Sequence, residues 1–126
     1  MKIAFSTLAC PDFSWVDIYS MAKDLGFNGI EIRGLGNEIF APNAGPFTEN
    51  QVETTKETLR KRSLEIPCFS SGCCLKYKDK FEQNINEIKG LIPFHLDAGG
   101  DEDMCRIYCT QECSLISFNF WLYCYI

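Results

Sequence analysis

LGFNGIEIRGL, residues 25–35, closes an amphipathic helix and, after Gly26, opens a short β-branched strand. Ahead of it Trp15, Ile18, Tyr19, Ala22 and Leu25 recur at three- and four-residue steps, the period of one helix face. Gly26 stands where a left-handed residue ends a helix, and Ser14 stands where an N-cap begins one. Gly29 to Arg33 (GIEIR) then reads as a strand, and Lys2 to Ser6 (KIAFS) reads as another ahead of the helix. The order is strand, helix, strand.

The alternation continues. Residues 34–47 carry Gly34, Gly36, Gly45, Pro42 and Pro46 without a sustained period, so they read as a long loop. Thr48 opens a second helix, with Thr48 and Gln51 as a capping box and Val52, Thr55 and Leu59 as its inner face up to about Arg62. Glu65 to Ser70 (EIPCFS) is a third strand, in which Pro67 cannot donate to a ladder. The third helix begins near Asp79, with Asp79 and Glu82 as its cap and Phe81, Ile85, Ile88 and Ile92 on one stripe. Strands alternating with helices of this length call for an α/β fold with a parallel sheet and right-handed crossovers.

After Ile92 the pattern changes. Residues 1–92 carry 11 basic and 12 acidic side chains, a net charge of −1; residues 93–126 carry one basic and five acidic, a net charge of −4. The segment 93–126 is also rich in cysteine and aromatic residues and shows no strand-helix alternation. Two regions are therefore expected, an α/β region at 1–92 and an irregular tail at 93–126.

Composition excludes several classes. A net charge of −5 disfavours nucleic acid and anionic membrane as partners. The amino terminus lacks the length and the cleavage site of a secretory signal, and the most apolar stretch, residues 115–126, is short of the ~20 residues that cross a bilayer. Eight cysteines without an export signal read as reduced thiols, so a cytoplasmic location is expected.

KIAFSTLACPDFSW, LGFNGIEIRGL and LEIPCFSSG together resemble the xylose-isomerase-like barrel family of sugar-phosphate isomerases and epimerases. The resemblance covers about residues 1–92. It implies a fourth strand where this chain has DAGGDEDMCRIYC, residues 97–109, and an altered reading frame explains the departure economically, because Gly-Gly-Asp-Glu-Asp codons read one base later can give Val-Gly-Thr-Lys-Ile, close to the entry of such a strand. The resemblance implies a (β/α)8 TIM-barrel type truncated to about three βα units, since a whole barrel takes ~250 residues and this chain has 126. It also implies metal-dependent aldose-ketose isomerisation or epimerisation in the intact family, on a sugar or sugar phosphate, with a divalent metal (Mg, Mn or Zn) polarising the substrate oxygens. The family's metal ligands, two Glu, an Asp and a His, belong to later strands not recognisable here. No catalytic or metal-ligating residue, and no cofactor, is therefore assigned to this fragment, which is expected to be inactive.

Barrel chemistry sits at the carboxyl ends of strands. Those positions are Ser6 and Thr7 on the first strand, Glu31 and Arg33 on the second, and Ser70 and Ser71 on the third. Glu31, Arg33, Ser70 and Ser71 are the candidate substrate-binding residues. The plain alternative makes Glu31 the polar member of a strand alternation, Arg33 half of an ion pair, and the serines loop residues.

Three further features need weighing. His95, the only histidine, has Asp97, Asp101 and Glu102 nearby, a grouping that reads as a solvated acidic loop. Cys105, Cys109 and Cys113 recur at four-residue steps, which is not a zinc or iron-sulfur spacing. The tail FNFWLYCY and the open sheet edges of an incomplete barrel favour self-association. The competing functional classes are a non-catalytic, dimerising half-barrel, a small thiol protein, and an abasic-site endonuclease-like barrel. The acidic balance and the absence of a Lys/Arg cluster oppose the last.

Overall fold

Ser14 and Gly26 bound the first helix as expected. In the computed structural model, which describes residues 1–71, 78–96, 106–109 and 122–125, helix α1 runs from Trp15 to Asp24. The Ser14 hydroxyl accepts the Asp17 amide at 3.2 Å, and the Asp17 carboxylate accepts the Ser14 amide at 3.3 Å, a reciprocal cap. Gly26 has φ +76°. Leu25, expected on the inner stripe, is 67% exposed, because the helix ends before it and it serves as the C-cap.

Strand β1, Lys2–Ser6, pairs in parallel with β2, Gly29–Glu31, with Phe5 opposite Ile30 and Ser6 opposite Glu31. Strand β3, Cys68–Ser71, joins β2 through parallel bridges at Gly29–Glu65 and Ile32–Phe69. Its ladder starts three residues later than the expected strand, past Pro67.

Helix α2, Val52–Arg62, lies between β2 and β3 and buries Thr55 and Leu59 as expected. The Thr48–Gln51 capping box does not form. The Thr48 hydroxyl donates instead to the Gly45 carbonyl at 2.9 Å, and Gln51 becomes an N-cap without a side-chain bond. The helix stops at Ser63, which takes the left-handed conformation (φ 54°) that a glycine usually provides.

Helix α3, Phe81–Leu96, runs through Pro93 to four residues beyond the expected end. Its inner side is turned from the expected stripe. Asn84 and Leu91 are buried, the expected Ile85 and Ile88 are half-buried beside them, and Phe81 is 48% exposed, since it follows a 3-10 turn at Lys78–Lys80 and stands at the very start of the helix.

Within the segment expected to be irregular, two short strands are described. Strand β4, Arg106–Cys109, pairs in parallel with β3, and β5, Leu122–Tyr125, pairs antiparallel with β1. The strands follow one another as β5-β1-β2-β3-β4, so that β1 to β4 repeat the parallel succession of a barrel.

Alternation along the strands sorts their side chains. Phe5, Ile30, Ile32 and Phe69 turn to the helices and pack with Ile18 and Ala22 of α1, Leu59 of α2 and Leu91 of α3. Each such burial contributes about 1.5–3 kcal/mol for the larger side chains. The opposite face carries small or polar residues, Ala4, Ser6, Glu31, Cys68 and Ser70, all buried. This second face corresponds to the inside of a barrel.

Candidate functional site

The inner face converges on Glu31, the last residue of β2. Ser6 is opposite it on β1, and β3 brings Ser70 against it from the other side. Glu31 is 2% exposed. The Ser70 hydroxyl donates to Glu31 Oε1, and the Cys68 sulfur lies 3.7 Å from the same hydroxyl. Glu31 Oε2 is buried and has no hydrogen-bond partner among the described residues. A carboxylate is thus held by one oxygen and leaves the other without a partner among the described residues.

The neighbouring hydroxyls have structural duties. Thr7 Oγ1 donates to the Gly34 carbonyl at 2.8 Å and accepts the Arg33 amide at 3.0 Å, which ties the end of β1 to the turn after β2. Gly34 holds φ +147° there, and a Cβ on it would meet the Glu38 carbonyl oxygen at 2.9 Å. Ser6 Oγ accepts the Leu8 amide at 3.3 Å and caps the following turn.

Of the four candidate residues, the structure brings Glu31 and Ser70 together. Arg33 is half-buried, enters the site region through its backbone, and makes no ion pair among the described residues. Ser71 is buried and, one residue on from Ser70 in β3, takes the opposite strand face by alternation. Cys68 was not foreseen as a neighbour of the site. The two-residue step from Cys68 to Ser70, which puts both on one strand face, is the signal that would have found it.

Cys10 and Cys68 are buried and form no disulfide, and burial pushes the Cys10 thiol above its ordinary value. Among the described residues no group of three His, Cys, Asp or Glu side chains is placed to hold a metal. The described residues alone therefore do not make up a metal centre. The side chains of His95 and Cys109, and Asp97, Asp101, Glu102, Cys105 and Cys113 entirely, lie outside the described part. No helix among the described residues is long and apolar enough to cross a membrane.

No family model matches the chain, and no curated protein matches it. Among solved structures it is similar to the crystal structure of the probable 3-DHS dehydratase AsbF, involved in petrobactin synthesis, from Bacillus anthracis. The TM-score is 0.58 and the identity 25%, over 76% of this chain and 34% of that one. The chain carries part of a xylose-isomerase-like barrel. It spans about a third of the length of the Bacillus anthracis protein. In a xylose-isomerase-like barrel the carboxyl ends of the strands form the mouth, which is where Glu31 and Ser70 meet.

Proposed function

We propose that this chain provides the substrate-facing first strands of a xylose-isomerase-like barrel acting on a sugar or sugar phosphate, with Glu31 as the group that receives a substrate hydroxyl. The supporting observation is the buried Oε2 of Glu31 at a strand end, without a partner among the described residues. A buried acceptor left unmet costs roughly 1–3 kcal/mol, and more when charged. A ligand hydroxyl at this point offsets that cost, whereas a purely structural carboxylate would be expected to have both oxygens met.

The reaction class follows from shared chemistry. Isomerisation and epimerisation next to a carbonyl begin by removing the proton on the adjacent carbon, and so does dehydration of a hydroxy-carbonyl compound. Similarity to a probable dehydratase therefore fits the same first step. By the resemblance, the divalent metal that assists this step is held on later strands of the barrel. For the 126-residue chain itself the expected behaviour is binding without turnover.

Titration of the full chain with a ketohexose, its phosphate ester and an aldopentose, followed by amide NMR shifts at Glu31 and Ser70, tests this reading. Saturable binding of one of them is expected. Glu31→Gln keeps an acceptor for Ser70 but loses the charge, and should weaken binding roughly tenfold or more. Binding that is indifferent to Glu31→Gln, or no binding of any of the three, would overturn it.

A further inference from the structure

In a closed barrel β1 has a parallel neighbour on each side. Here β2 is parallel on one side and β5 is antiparallel on the other, with Lys2 opposite Tyr125, Ile3 opposite Cys124, Ala4 opposite Tyr123 and Phe5 opposite Leu122. The backbone groups of β1 show how the two neighbours share it. The Ile3 carbonyl accepts the Asn28 amide at 2.8 Å, and the Ile3 amide donates to Asn28 Oδ1 at 3.0 Å, so Ile3 turns toward β2.

Strand alternation then turns Phe5 the same way and turns the amides and carbonyls of Lys2 and Ala4 toward β5. The pairs Lys2–Tyr125 and Ala4–Tyr123 are thus the hydrogen-bonded pairs of the antiparallel ladder, each exchanging two bonds. At Ile3–Cys124 and Phe5–Leu122 the β5 backbone groups point outward. β5 fills the same edge that a parallel neighbour would take, so the two arrangements exclude each other.

We propose that β5 is a strap built into this chain: it occupies the β1 edge in cis and blocks strand pairing of β1 with a second copy. An uncovered strand edge is a template for another chain. With β5 in place the outer edge is a strand of four residues, and very short edge strands resist such pairing.

The ladder makes the test specific to single residues. Proline at 123 removes the amide that donates to the Ala4 carbonyl. Proline at 124 removes an amide that points away from β1, a position an edge strand tolerates. Hydrogen exchange of the full wild-type chain should show Ala4 protected alongside Phe5. Tyr123→Pro should speed exchange at Ala4 on the order of tenfold or more while Phe5 stays protected through β2, and size-exclusion chromatography with light scattering should show self-association. Cys124→Pro should match wild type in both readouts.

If Tyr123→Pro fails to fold, the wild-type contrast still decides. An Ala4 amide that exchanges as an unpaired one, beside a protected Phe5, overturns the strap. Identical behaviour of the two proline variants overturns it as well.

Discussion

Glu31 separates a carboxylate kept for a ligand from one kept for the fold, because the two roles make opposite predictions about stability. A structural carboxylate loses stability when replaced by an apolar side chain of similar size. One whose Oε2 is buried and unmet gains from the change or is indifferent to it. Glu31→Leu is therefore expected to leave urea stability unchanged or raise it by about 1 kcal/mol, even though the Ser70 hydroxyl loses its acceptor. Sugar binding should be lost in the same variant. A drop of more than about 2 kcal/mol would assign Glu31 to the fold instead. Strand-end position made Glu31 and Ser70 legible in the sequence. What it could not give was their pairing across 39 residues, which depends on the register between β2 and β3; that Ser71 takes the face opposite to Ser70 follows from strand alternation alone.

Elements bounded by local chemistry were the ones the sequence specified. Helix α1 needs only Ser14 and Gly26, close to its ends, and its bounds formed as read, with Asp17 completing the cap and Leu25 left outside as the C-cap. At α2 the same kind of signal failed. The turn at Gly45–Phe47 places the Gly45 carbonyl within reach of Thr48, whose hydroxyl is then a donor in that turn instead of an acceptor for the helix. The two caps should accordingly differ on substitution. Ser14→Ala should cost about 1 kcal/mol, whereas Thr48→Ala should stay within roughly 0.5 kcal/mol, as an ordinary surface change does. Chemical denaturation of the two variants side by side checks this, and equal costs would contradict the reciprocal cap as the source of the difference. Strand β4 had no such local marker. Four residues, Arg106–Cys109, are too few to show a period, and the strand is defined by pairing with β3.

Across the whole molecule the strand-helix succession predicted the parallel order of β1, β2 and β3, while the core that fixes their helices depends on one residue the pattern left in a loop. Phe47 lies between β2 and α2, and its side chain is 2% exposed. Its ring meets Trp15 of α1 edge-on at 5.4 Å and Phe69 of β3 at 5.7 Å. The long loop is therefore pinned into the helix-facing core, where it ties the first helix to the third strand. Truncating a buried phenylalanine costs about 3–5 kcal/mol, a large part of the 5–15 kcal/mol typical of a whole domain. Phe47→Ala should lower the urea midpoint by an amount of that order with the slope unchanged. Phe13→Ala, at a ring 45% exposed ahead of α1, should shift it by no more than about 0.5 kcal/mol. A loss below about 1 kcal/mol at Phe47 would mean that the loop folds down without holding α1 to β3. In that case the position of Glu31 and Ser70 would rest on the β1-β2-β3 pairing alone.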